Sequence, residues 1–191
     1  VYSLRHQTGP EWAQAVLTDV DSFLSDHAHA ERKVVGSALQ LANHFPGHSD
    51  IVEAMIDLAR EELSHFRQVH ELLLSRGSVL GKDHADPYMK PLVALLRRGQ
   101  HPEYLLDRLV VFSVVETRGC ERFELIANAL PAGPVQSFYE RLTAAEKRHR
   151  DLFHELALAH FPAPTVAARL EEVLDVEARV VASLPIRAAL H

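Results

Sequence analysis

Apolar residues recur at intervals of three and four along most of the chain. Val16, Val20 and Leu24 are followed by Ala38, Ala42 and Phe45, and Leu105, Leu109 and Phe112 by Phe123 and Ala127. This is the period of one helix face, and the period-two alternation of a half-buried strand is missing, so the pattern predicts an all-α protein. Gly and Pro interrupt the stripes at "FPGHSD" (45–50), "RGSVLGKDHADP" (76–87), "RGQHPE" (98–103), "LPAGP" (130–134) and "FPAP" (161–164). Reading these as loops leaves helices over 10–45, 50–75, 87–98, 102–130, 134–160 and 164–184, with Asp50 as N-cap of the second and Pro102 opening the fourth. Four of them are long enough to fold as two hairpins of a bundle, with additional helices around it.

Several polar residues lie on the apolar stripes. In "EELSH" (61–65), Glu62 and His65 share the helix face of Leu58, Phe66 and Val69, because residues three and four apart are neighbours. "EKRH" repeats the spacing with Glu146 and His149. One Glu-x-x-His is expected about once by chance in a chain of this composition, and singly each pair reads as an ordinary solvated helix face. Their positions relative to the turns add information. Glu31 lies fifteen residues before Pro46, and Glu62 twelve after Asp50; Glu116 lies fifteen before Pro131, and Glu146 twelve after Pro134. At about 1.5 Å of rise per residue, each hairpin brings its two glutamates to similar heights. Glu121, ten residues before Pro131, is rotated off the face of Glu116.

Bringing these faces together gathers four carboxylates and two imidazoles inside a bundle. Without cations such a group would suffer mutual repulsion and a large desolvation cost. Two metal ions remove it, and oxygen and nitrogen donors without thiolate suit iron or manganese rather than structural zinc. The expected ligands are Glu31, Glu62, His65, Glu116, Glu146 and His149. Among the other histidines, His27 sits on the ligand stripe as a buried neighbour of the site. His29, His44, His48, His84, His101 and His191 are expected on the surface or in loops, and His70 and His154 facing away from their motif histidines. Cys120 reads as a small buried residue.

Composition narrows the class. The 191 residues suit one domain, 1–191, with 47% apolar and 24% charged residues and no apolar run long enough to span a bilayer. One cysteine excludes a disulfide framework, and "VYSLRHQTGPEW" lacks the basic start and apolar block of a signal peptide, so a cytoplasmic location is expected. A formal net charge of −6 argues against nonspecific coating of nucleic acid.

The segments "HQTGPEWAQAVLTDVDSFLSDHAHAERK", "DLAREELSHFRQVHELL", "DPY", "YLLDRL", "VETRGCERF", "EKRHRDLF" and "LPIRAALH" run nearly end to end. On them the chain resembles the bacterial tRNA hydroxylases that act on 2-methylthio-N6-isopentenyl-adenosine beside the anticodon. The resemblance implies a ferritin-like four-helix bundle holding two iron ions on the same six residues. It implies a monooxygenase that uses O2 and electrons from an external donor to hydroxylate the isopentenyl group, with no catalytic residue beyond the metal ligands. The partners implied are the anticodon loop of tRNA and an electron-transfer protein, with no membrane and no DNA. Substrate-binding residues are not carried over by the resemblance. Two sets of residues are candidates for contact with RNA: Lys82, Tyr88, Lys90, Arg97 and Arg98 in the 76–100 connection, and Arg118, Arg122, Lys147, Arg148 and Arg150 around the site. Gly119 and Cys120, small and next to Glu116, are expected to leave room for the substrate. The competing reading is another protein of the same fold, a ferroxidase, an iron-storage subunit or a rubrerythrin-type peroxidase. A fused rubredoxin centre is excluded because no Cys-x-x-Cys is present.

Overall fold

The computed structural model describes residues 2–99 and 102–191. His101, expected in a loop, lies outside the described residues. Seven helices and no strand are found among those described: α1 (Pro10–Thr18), α2 (Val20–His44), α3 (Ser49–Ser75), α4 (Met89–Val93), α5 (Pro102–Ala129), α6 (Pro134–His160) and α7 (Ala163–Ser183). The hairpins α2–α3 and α5–α6 form the bundle and meet along α3 and α6, while α1 and α7 pack on α5. α5 is buried almost all round from Leu105 to Val115, as befits the central helix of the fold.

Three helix boundaries differ from the sequence expectation. The helix expected over 10–45 breaks at Asp19, which leaves helical geometry (φ −149°, ψ 68°) and accepts the Ser22 N–H at 3.1 Å, capping α2. Apolar spacing runs through this break and so conceals it. The N-cap of α3 is His48 rather than Asp50; Asp50 lies inside the first turn and accepts a hydrogen bond from His160 Nε2 at 2.7 Å. The helix expected over 87–98 shortens to α4. It starts where Asp86 Oδ1 accepts the Tyr88 and Met89 N–H groups and ends before Arg97, whose N–H is taken by Asp107 at 2.7 Å.

The bundle core is divided. One apolar cluster holds Leu41, Met55, Leu58, Leu109, Phe112 and Phe153, together with residues of α7. The other holds Trp12, Phe23, Leu24, Val69, Phe123 and Tyr139. On each of the four long helices a stretch of about two to three turns separates the buried residues of the two clusters, and those stretches carry Glu31, Glu62 with His65, Glu116, and Glu146 with His149. A polar layer thus lies between two apolar ones.

Candidate metal centre

All six residues of this layer are buried, none more than 8% exposed. Their donor atoms fall into two groups, each within 4.8 Å: Glu31, Glu62, His65 and Glu146 in one, Glu62, Glu116, Glu146 and His149 in the other. Glu62 and Glu146 belong to both. Two adjacent four-donor groups thus share two carboxylates, and each adds one further glutamate and one histidine that could hold an ion. Both imidazoles turn Nδ1 inward. His65 Nδ1 lies 2.9 Å from Glu62 and 3.3 Å from Glu146, and His149 Nδ1 lies 2.8 Å from Glu62 and 3.0 Å from Glu146.

The protein alone does not satisfy this layer. Glu116 Oε1 and Glu146 Oε1 are buried without a hydrogen-bond partner among the described residues, although buried polar atoms are nearly always paired. Burial, with repulsion from Glu62, holds the Glu31 carboxyl well above the ordinary range, and burial with the charges of Glu146 and Glu62 does the same to Glu116. For His65 and His149, burial favours the neutral ring, but the Glu146 and Glu62 carboxylates facing each Nδ1 outweigh it and raise them to about 9 and about 11. Two divalent cations would balance four carboxylates with both imidazoles neutral and give the orphaned oxygens partners. The donor set fits two metal ions of the hard-to-borderline class.

Two supporting residues orient the donors. Glu61 accepts from His149 Nε2 at 3.1 Å, so that a metal displacing the Nδ1 proton would find Nδ1 as the free nitrogen of a neutral ring. Sequence spacing missed Glu61 because, one residue before Glu62, it falls on another helix face; its adjacency to the Glu-x-x-His motif was the available signal. His27 is fully buried, touches Glu31 through Nε2, and is hydrogen-bonded through Nδ1 to the Tyr139 hydroxyl at 2.8 Å. Burial holds His27 down at about 3, so it is a neutral ring.

Other expected placements change. His29 is buried and donates to the Gly81 carbonyl at 2.9 Å, and the His191 ring stacks on Tyr88 at 4.3 Å, because segment 78–87 folds back over α2 and the C-terminal residues close over it. Among the candidate RNA-contacting residues, Tyr88 is fully buried and Arg97 is tied to Asp107. Arg118 and Arg122 are also internal. Arg118 binds Glu177 at 2.7 Å, Thr8, Glu121 and the His6 carbonyl, and Arg122 binds the Leu190 carbonyl and lies over the Trp12 ring. Both arginines sit on the central helix, where every face meets protein. Lys82, Lys90, Arg98, Lys147 and Arg148 remain on the surface. A cavity of about 590 Å³ lies between α2 and α5, lined by Val34, Phe112 and Val115 among others, and neither Gly119 nor Cys120 lines it.

The model of the tRNA-(MS[2]IO[6]A)-hydroxylase (MiaE) family matches residues 2–191. The chain belongs to that family. A member from Pseudomonas putida, named tRNA 2-(methylsulfanyl)-N(6)-isopentenyladenosine(37) hydroxylase, is 34% identical over 176 residues, covering 92% of this chain and 85% of that protein. A protein of the same name from Salmonella typhimurium is 34% identical over 139 residues, 72% of this chain and 50% of that protein. Among solved structures, one described as protein 43 with aldehyde deformylating oxygenase activity from Synechococcus superposes with a TM-score of 0.95 at 31% identity, covering 100% of this chain and 96% of that one. The MiaE family assignment and this superposition agree with the ferritin-like, all-helical bundle expected from the sequence. No helix of the described residues is long and apolar enough to cross a membrane.

Proposed function

We propose that this chain, acting as a single cytoplasmic domain, is a di-iron monooxygenase that hydroxylates the isopentenyl side chain of 2-methylthio-N6-isopentenyl-adenosine in tRNA, using O2 and electrons from an external donor. The observation that supports it most is the pair of four-donor groups sharing Glu62 and Glu146, in a chain of the MiaE family. Glu31 and His65 would hold one iron together with Glu62 and Glu146, and Glu116 and His149 would hold the other with the same two glutamates. Bound iron supplies what side chains cannot, the activation of O2 for insertion of oxygen into an unactivated C–H bond.

The residues do the rest. Glu61 keeps the Nδ1 lone pair of His149 directed inward, and His27 holds Glu31 through a hydrogen bond that is itself fixed by Tyr139. The apolar clusters above and below the layer exclude bulk water, which strengthens the electrostatic hold on the ions and protects the reaction from side paths.

The test is reconstitution with ferrous iron under nitrogen, a count of metal per chain, then addition of O2, a chemical reductant and tRNA bearing the modified base. Two irons per chain and one added oxygen on that nucleoside, lost in Glu116→Ala, are expected. Two irons with an untouched nucleoside would reject the substrate while keeping the centre. The activity for which the Synechococcus neighbour is described supports a second reading, aldehyde deformylation; release of a one-carbon product from an alkyl aldehyde in the same assay would favour it.

A further inference from the structure

The cavity of about 590 Å³ between α2 and α5 is lined by Val34, one turn after Glu31, and by Phe112, one turn before Glu116, with Ala30 and Val115 next to those glutamates in the chain; the six donors themselves do not line it. Its lining is mostly apolar, with Met89 and Val93 forming the far wall. A second recess of about 410 Å³ shares Ser37, Val93 and Phe112 with it and continues toward His44, Tyr104 and Arg108. The two make one groove, apolar at the metal end and aromatic and cationic at the other.

Arg108 gives the groove its polarity. It is 3% exposed, yet every partner of its guanidinium among the described residues is neutral: Gln40, the Tyr104 hydroxyl, and the Ser37 carbonyl and hydroxyl. Its Nε has no partner there at all. Of the two other buried arginines on α5, Arg118 is matched by a buried carboxylate, and Arg122 is closed off by the Leu190 carbonyl and the Trp12 ring. A buried cation without an anion is costly unless a ligand supplies one. The Arg108 guanidinium also lies 5.7 Å from the Tyr104 ring centroid, beside a His44 ring 4.8 Å from the same tyrosine. Aromatic faces of this kind stack on unpaired bases, and arginine pairs with phosphate. Along α5, Arg108 precedes Glu116 by eight residues, about 12 Å of helix rise.

We propose that this groove is the site of the target nucleotide. The prenyl group enters the apolar compartment against Val34, Phe112 and Val115, and the phosphodiester faces Arg108 with a base beside Tyr104. The assignment rests on the tRNA hydroxylase reading and adds which wall of the site selects for prenylation and which holds the RNA backbone.

Binding of an anticodon stem-loop to the metal-loaded protein without O2 tests it, with the target adenosine either prenylated or unmodified. The wild type is expected to prefer the prenylated RNA by tenfold or more. Val34→Phe, which fills the compartment from a half-buried position, should abolish that preference while leaving the affinity for unmodified RNA, the metal count and the absorption of the metal centre unchanged. Arg108→Gln should weaken both RNAs about equally and reduce the salt dependence by roughly one ion, with partial recovery in Arg108→Lys. A Val34→Phe protein that keeps the wild-type preference overturns the prenyl compartment, and an unchanged salt dependence in a folded, metal-loaded Arg108→Gln protein overturns the phosphate contact. A wild type that does not discriminate the two RNAs overturns the hydroxylase reading on which both rest.

Discussion

Glu116 and Arg118 stand two residues apart on α5, both buried, and they show opposite ways of placing a charge inside a protein. Two residues turn a helix by more than half a revolution, so the two side chains face different surroundings. Arg118 meets Glu177, Glu121, Thr8 and a backbone carbonyl, a set that uses its donors fully. Glu116 meets other carboxylates and keeps an oxygen without a partner. The first arrangement is complete in the polypeptide and serves to tie the N-terminal segment and α7 to the central helix. The second is left open by the polypeptide, and two cations would complete it. A buried charge network that is already satisfied points to architecture, and one left open points to a ligand.

The largest effect that separates the two should come from Glu177→Ala. It leaves the Arg118 guanidinium buried and without its main partner, a loss of about 3–5 kcal/mol expected in urea unfolding with or without metal. If the midpoint hardly moves, Arg118 is not held as described. Glu116→Gln should behave in reverse, leaving the metal-free protein as stable as wild type or more so. It should forfeit the stabilisation that metal confers on the wild type, about 2.7 kcal/mol per site at a free concentration one hundred times Kd. Melting curves with ferrous iron under nitrogen and with chelator measure both; equal metal-induced shifts in mutant and wild type would remove Glu116 from the centre.

A smaller loss is expected for Glu61→Gln, which leaves all six donors intact but loosens His149. Metal affinity should fall by about 10- to 100-fold, read from competition with a chromophoric chelator, and an unchanged affinity would leave Glu61 as a surface partner of Arg148 only. The gentlest test is pH. A His65 raised to about 9 binds its proton more tightly in the folded metal-free protein than in the unfolded chain. Its contribution is therefore fully present below about 6.5 and lost as pH rises through about 9. Glu31 and Glu116, also raised, act in the same direction. Metal-free stability should decline from pH 6.5 to pH 9 by about 1.4 kcal/mol per pH unit for each extra proton held. Metal loading should do the opposite, releasing protons and strengthening as pH rises; calorimetry in buffers of different ionisation enthalpy would reveal a wrong sign.

The hairpins and the convergence of six polar residues were legible in the sequence because both depend on local periodicity and on distances counted from turns. Features that depend on which helix lies at the centre were not. Arg118 and Arg122 read as a basic face because a helix pattern does not say what covers it. The run Leu105–Val115, apolar with hardly a gap, was the sign that α5 is enclosed and that its charges would need internal partners. Tyr88, His29 and His191 were misplaced for a related reason: the 76–87 connection looks like an exposed loop, and only tertiary folding lays it over α2. The break at Asp19 left no trace in the spacing, since a cap changes backbone direction without changing which residues are apolar.

Each hairpin contributes one glutamate and one Glu-x-x-His, half of the donors, and each four-donor group draws on both hairpins. During synthesis the first hairpin can be complete before α5 exists, yet neither position can then hold its full complement of ligands. On the proposed two-metal reading, stoichiometric metal would therefore be a certificate of finished assembly. Partly folded or truncated chains would be recognised by an empty centre, and the oxidising chemistry of the site would be withheld until the bundle around it has closed.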